Sequence, residues 1–172
     1  FQALIAFGIL LTFNTAAVFL GVLALVPVAI YPFAKRFTWW PQVFLGLAFN
    51  WGALLAWTAH RGALEAPALY LYVAGIVWTL FYDTIYAHQD REDDALVGVK
   101  STARLFGAKS KLAISALYSL ALLLFVVAFV LAIPINSWRF SPAFIGLVLG
   151  GLHMIWQIRN LDIDDGDQCL KL

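Results

Sequence analysis

Apolar runs, most of them close to twenty residues long and separated by short polar connections, constrain the fold of this chain more than any other feature. Six runs stand out, at about 2–13, 16–33, 39–59, 67–89, 111–133 and 142–158. Crossing the hydrocarbon core of a bilayer takes roughly 20 helical residues. The first run is too short to span and looks cut on its N-terminal side; the others are long enough. Composition agrees: 63% of residues are hydrophobic and only 12% charged, whereas soluble domains carry about 25% charged residues. The expected fold is all-α, a polytopic transmembrane helix bundle forming one domain over residues 1–172.

Local signals mark the connections. Asn14-Thr15 makes a tight link between the first two runs, and Pro27 predicts a kink in the second, which is expected to end at Tyr31-Pro32. Trp40-Pro41 opens the third run, with Thr38 as its expected cap. Asn50, in mid-span, reads as an interhelical hydrogen-bonding residue. The single cysteine, Cys169, excludes an internal disulfide. Phe1 is not an initiator methionine and the chain stops abruptly at Leu172, so a fragment of a longer protein, cut at both ends, is expected.

Charge is distributed very unevenly. If the six helices alternate in direction, one side of the membrane receives nine of the eleven Lys and Arg residues, and the other receives only Arg61 and Arg139. That bias predicts a cytoplasmic face carrying a polar loop at about 89–110. Every acid except Glu65 falls on the same face. The positive-inside rule accounts for the basic residues but not for the acids beside them.

Those acids concentrate in Tyr82-Asp83-Thr84-Ile85-Tyr86-Ala87-His88-Gln89-Asp90-Arg91-Glu92-Asp93-Asp94, with five carboxylates in twelve residues. Wound as one helix, Asp83, Tyr86, Asp90 and Asp94 share a narrow stripe. Aligned acids repel one another unless a cation sits against them. Magnesium takes one or two carboxylates together with water and substrate phosphate oxygens, so Asp90 and Asp94, one turn apart, form a candidate metal pair. Asp83 lies two turns back, nearer the bilayer, where an acid is costly and usually functional. Lys35, Arg36 and Lys100 are candidates for binding diphosphate oxygens. A diphosphate leaving group in a membrane points to a lipid substrate. Trp39, Trp40, Trp51, Trp57, Trp78 and Phe81 are candidates for lining a dry chamber that stabilises an allylic cation. His88 reads as a packing or solvent-facing residue, since imidazole is a poor magnesium ligand.

The acidic segment, followed by Gly98-Val99-Lys100-Ser101-Thr102-Ala103, resembles the second aspartate-rich motif of the UbiA-type intramembrane prenyltransferases. Tyr31-Pro32-Phe33-Ala34-Lys35-Arg36-Phe37-Thr38 and Leu161-Asp162-Ile163-Asp164-Asp165 support the match, in order along essentially the whole chain. The resemblance implies a bundle of nine membrane helices, of which six are visible here. It also implies magnesium-dependent transfer of a polyprenyl group from polyprenyl diphosphate to 4-hydroxybenzoate in ubiquinone biosynthesis. By the same resemblance Asp90 and Asp94 hold one metal ion, Tyr86 lies at the cavity mouth, and Lys100 and Arg36 contact diphosphate or carboxylate. Asp83, as a further catalytic acid, and Lys35, as a further substrate contact, rest on their places in the sequence alone.

The expected partners are those two substrates and the lipid bilayer, with no nucleic acid, and the expected setting is a bacterial inner membrane. The family's first aspartate-rich motif, of Asn-Asp-x-x-Asp type, has no match here, and the final helix also looks absent; the fragment alone is expected to be inactive. Another aromatic acceptor, a cation-coupled transporter and a structural membrane subunit remain alternatives at this stage.

Overall fold

The computed structural model describes residues 1–171, leaving aside the side chains of Asp167 and Leu170. Among the described residues the secondary structure is helical throughout. Five segments are long and apolar enough to cross a membrane. A short α1 (Gln2–Leu10) precedes them, and Asn14 then begins α2 (Thr15–Leu23). The Asn14 side chain accepts a hydrogen bond from Ala17 N at 2.9 Å and donates to the Thr58 and Ala59 carbonyls. One residue therefore caps the second helix and satisfies carbonyls near the end of the fifth.

The first span joins α2 to α3 (Leu25–Phe37) through Ala24, which keeps right-handed helical dihedrals. The break falls where Pro27 requires it. Proline has no N–H for the Leu23 carbonyl four residues back, and the disturbance shows as a one-residue interruption of the helix at Ala24. The predicted end at Tyr31-Pro32 is absent: the helix runs through Pro32 to Phe37. Thr38 closes this helix as its C-terminal cap and does not open the next one, although its hydroxyl accepts a hydrogen bond from Trp40 N at 3.1 Å.

The second span is likewise two pieces, α4 (Pro41–Phe49) and α5 (Trp51–Arg61), meeting at Asn50 with φ −90° and ψ 2°. Asn50 Nδ2 donates to the Gly46 carbonyl and to Thr79 Oγ1, both at 2.9 Å. The expected interhelical role is thus borne out. Thr79 belongs to α6 (Ala66–Tyr86), the central helix of the bundle. Glycines let α4 approach it closely: a Cβ on Gly46 would meet Ile76 Cα at 3.1 Å, and one on Gly75 would meet Asn50 Oδ1 at 2.3 Å. Small residues at membrane helix contacts serve this purpose.

α6 packs most extensively against α9 (Ser110–Ala132), and α10 (Phe140–Asn160) packs on α9 in turn. Phe81, Ile85, Ile114, Met154, Leu161 and Cys169 form a buried cluster joining these three helices to the segment after α10. Between α6 and α9 lie the short α7 (Arg91–Val97), α8 (Thr102–Phe106) and a 3₁₀ turn at Gly107–Lys109, all on the charged end. A final turn of helix, α11 (Gly166–Lys171), follows α10 on that same end.

Candidate active site

The acidic stretch is not one helix. α6 stops at Tyr86 and α7 starts at Arg91. The reason lies in His88: its backbone N–H goes to Ile85 O at 3.1 Å, three residues back, and so leaves the Thr84 carbonyl it would bond in a continuing helix. The imidazole takes that carbonyl instead, with Nδ1 donating to Thr84 O at 2.7 Å. His88 is buried and has the packing role expected of it, while its Nε2 is buried without a partner among the described residues. Desolvation is the main cause holding its pKa below the ordinary value.

The expected single stripe of Asp83, Tyr86, Asp90 and Asp94 is therefore corrected. Asp83 and Tyr86 stay on α6, whereas Asp90 and Asp94 move with α7. The latter two remain one turn apart, Asp94 N donating to Asp90 O at 2.8 Å. Asp90 is exposed, Asp94 is half-buried, and neither carboxylate has a hydrogen bond or ion pair among the described residues. Glu92, Asp93 and Asp94 lie in the first turn of α7, where the helix dipole favours negative charge. That contribution is modest and leaves the repulsion between neighbouring carboxylates largely in place. No group of three or more His, Cys, Asp or Glu side chains is gathered for a metal among the described residues. The donor set present is a pair of free carboxylates. It fits magnesium held partly by phosphate oxygens and water, and does not fit an ion fully enclosed by protein.

Asp83 belongs to a different cluster. It is half-buried on α6, beside the Gln42 side chain of α4, and feels the charge of Lys35 on α3. Gln42 is 2% exposed and its Oε1 has no partner among the described residues. Lys35 also receives the chain after the motif, since Lys100 N donates to its carbonyl at 3.4 Å. Lys100 Nζ reaches the Phe37 carbonyl at 3.5 Å and lies 5.9 Å from the Trp39 ring. Lys35 and Lys100 are thus brought to one region by backbone and ring contacts. No ion pair joins Lys100 to the acids among the described residues. Arg36 turns away, its guanidinium 6.0 Å over Phe33 of its own helix. Tyr86 is 47% exposed on the last residue of α6.

The predicted aromatic chamber is dispersed. Phe81 is fully buried in the core, Trp51 donates to the Leu20 carbonyl, and Trp57 donates to Glu65. Trp39 sits under Lys100 and Arg104, and Trp40 packs edge-on against Phe106. Only Trp78, of the six, borders the main apolar cavity of about 350 Å³. Tyr82, Phe125, Leu147, Gly150 and His153 line it as well, between α6, α9 and α10. Neither Asp90 nor Asp94 borders it. A polar hollow of about 290 Å³ lies instead between the start of α7 and the 163–166 turn, lined by His88, Arg91, Glu92 and Asp164 among others.

In the sequence Arg104 counted only among the nine basic residues of the charged face. It lies one residue beyond the motif's continuation, and only the fold brings it back: Nη1 donates to the Asp94 carbonyl at 3.0 Å and also to the Val99 carbonyl. The buried hydroxyls of Thr84 and Thr102, 2.7 Å apart, were missed for the same reason.

The profile of the UbiA prenyltransferase family matches residues 1–172, and the chain belongs to that family. It is 45% identical to a bovine protein named 4-hydroxybenzoate polyprenyltransferase, mitochondrial, over 98% of this chain and 44% of the relative. The human protein of that name is 43% identical, again over 98% and 44%. An Arabidopsis thaliana protein of the same name is 44% identical over 99% of this chain and 41% of its own length. The chain therefore spans less than half of these relatives. No solved structure matches it. The relatives are named as mitochondrial proteins, which overturns the expectation of a bacterial inner membrane. What stands is an integral membrane protein with five membrane-capable helices.

Proposed function

We propose that the protein containing this chain transfers a polyprenyl group from polyprenyl diphosphate to the ring carbon beside the hydroxyl of 4-hydroxybenzoate, a step of ubiquinone biosynthesis. Similarity to enzymes of that name along nearly the whole chain supports the reading. The observation that carries it is the pair of free carboxylates, Asp90 and Asp94, one turn apart on the charged end that also holds Lys35 and Lys100.

In this reading Asp90 and Asp94 would hold magnesium, which would offset the negative charge that builds on the departing diphosphate. Lys100 and Lys35 bind diphosphate oxygens. Arg36 joins them by leaving its stacking on Phe33, a swing its exposure permits. Asp83 attracts Lys35 toward the inner edge of the site, and Tyr86 meets substrate at the mouth. The allylic carbon–oxygen bond breaks with its electron pair going to diphosphate, the ring carbon bonds to the prenyl carbon, and the ring proton passes to water at the charged end. Apolar walls such as those around Trp78 and Phe125 exclude the water that would quench an allylic cation.

The test uses the full-length protein in membranes. Asp90→Ala and Asp94→Ala are each expected to abolish magnesium-dependent formation of prenylated 4-hydroxybenzoate while membrane insertion stays intact. Near-normal turnover in both variants refutes the metal assignment. Absence of product from the unaltered protein with 4-hydroxybenzoate refutes the acceptor.

A further inference from the structure

α7 has little of its own to hold it in place. Seven residues fall well short of a self-stable helix, none of its side chains is buried, and three acids crowd its first turn. At its start Arg91 approaches Asp164 at 3.8 Å, a long and largely exposed ion pair worth little; the denser set of bonds is at the far end. The Asp94 carbonyl accepts from the backbone N–H of Gly98 and of Val99, the latter at 2.9 Å, with Gly98 in the left-handed region at φ 77°. The Arg104 guanidinium adds a third donor there and bonds the Val99 carbonyl as well.

Arg104 is itself firmly placed. It projects from α8, whose first residues Thr102 and Ala103 are fully buried, with Thr102 bonded to Thr84 of α6. Its guanidinium carbon lies 5.4 Å from the Trp39 ring, in the turn between α3 and α4. A single side chain thus ties the end of the acidic helix to the turn that follows Lys35.

We infer that Arg104 is a positioning residue: by capping α7 at Asp94 and Val99 while stacked on Trp39, it sets the affinity of the Asp90–Asp94 pair for a divalent ion. This rests on the metal-dependent reading above. An arginine suits the task because its Nη1 bonds both carbonyls while the rest of the planar guanidinium lies over the Trp39 ring; a lysine keeps the charge, but its single ammonium cannot cap the carbonyls and cover the ring from separate parts of one flat group. A purely structural Arg104 would change stability without changing how tightly the folded protein holds metal.

The experiment measures Mn²⁺ binding to the purified full-length protein by electron paramagnetic resonance, with inorganic diphosphate present. The unaltered protein, Asp94→Ala, Arg104→Lys and Arg104→Ala are compared, each checked for monodisperse elution and thermal unfolding. Arg104→Lys is expected to fold and to bind Mn²⁺ about 10- to 100-fold more weakly, the usual penalty for losing a group that orients a metal ligand. Its KM for 4-hydroxybenzoate is expected to stay unchanged. Should Arg104→Ala fail to fold, Arg104→Lys still decides the matter. A folded Arg104→Lys with unaltered Mn²⁺ affinity overturns the inference alone. Asp94→Ala binding Mn²⁺ as tightly as the unaltered protein overturns the metal reading and the inference with it.

Discussion

The hydroxyls of Thr84 and Thr102 lie 2.7 Å apart with both side chains fully buried, which ties the last turn of α6 to the segment that follows the acidic motif. They are eighteen positions apart, and the segment between them, including α7, is held by this junction and Arg104 together with the Arg91–Asp164 ion pair and the Lys100–Lys35 backbone bond. Replacing one hydroxyl leaves the other buried and unpaired, at a cost of about 1–3 kcal/mol. Replacing both with the isosteric valine removes the orphan. Thr102→Val is therefore expected to lower the unfolding temperature, and Thr84→Val/Thr102→Val to recover most of the loss, as followed by helical circular dichroism in detergent. A double variant less stable than the sum of the two single ones would contradict this account of the pair.

Glycines along α4, α6 and α10 should respond differently to alanine. At Gly46 the new methyl meets the Ile76 backbone at 3.1 Å, which cannot step aside without moving α6. At Gly75 it meets Asn50 Oδ1 at 2.3 Å, displacing a side chain held by hydrogen bonds to Gly46 and Thr79. Gly150 has nothing within 4 Å of the same position. Gly46→Ala and Gly75→Ala are expected to lower thermal stability by about 1–3 kcal/mol, the usual range for overpacking. Gly150→Ala should be neutral or slightly stabilising. A thermal scan that ranks Gly150→Ala as the most damaging of the three would refute this packing.

Such contrasts mark what the sequence made legible. Run length and hydropathy identified the membrane spans because a bilayer imposes both directly, and Pro27 located an interruption of its helix because the missing N–H is written in the residue itself. Asn50 was readable because a polar side chain in mid-span needs a partner. The end of α6 was not readable: the period of Asp83, Tyr86, Asp90 and Asp94 fits one continuous helix, and what interrupts it is a side chain, His88, competing with its own backbone for the Thr84 carbonyl. Pro32 misled in the opposite sense, since the helix tolerates it. Trp39 looked like a cavity wall by composition, but its neighbours Lys100 and Arg104 come from a segment sixty residues away. Partners that distant are set by packing and leave no local trace.

His88 also gives the protein a dependence on pH. Burial keeps the folded-state pKa below the ordinary 6.5; Arg91 also lowers it, while the Thr84 carbonyl and Asp164 oppose the shift. Between the lowered value and 6.5 the unfolded chain binds more protons than the folded one, so stability rises with pH there. The contribution is complete above about pH 6.5 and is lost as pH falls below it. The unaltered protein is expected to lose unfolding temperature from pH 7 to pH 5 more steeply than His88→Gln, which cannot take up the proton. Parallel pH profiles for the two proteins would rule His88 out as the source.

The arrangement of charged segments predicts which loops share a compartment. Residues 92 and 162 both lie on the end where Arg91 approaches Asp164 at 3.8 Å. Exactly one span, α6, separates residue 63 from residue 92, and one span each, α9 and then α10, separates 92 from 136 and 136 from 162. With Cys169 replaced by serine, single cysteines introduced as Glu92→Cys and Asp162→Cys should react with an impermeant thiol reagent from the same side of sealed, oriented vesicles. Ala63→Cys and Asn136→Cys, exposed at the opposite end, should react only from the other side. Under the proposed function, the side reached by residues 92 and 162 is the one through which a diphosphate headgroup and a charged aromatic acid would enter, so the same vesicles link topology to substrate access. Labelling of Asp162→Cys together with Asn136→Cys would mean that α10 does not cross the bilayer, and the bundle described here would have to be redrawn.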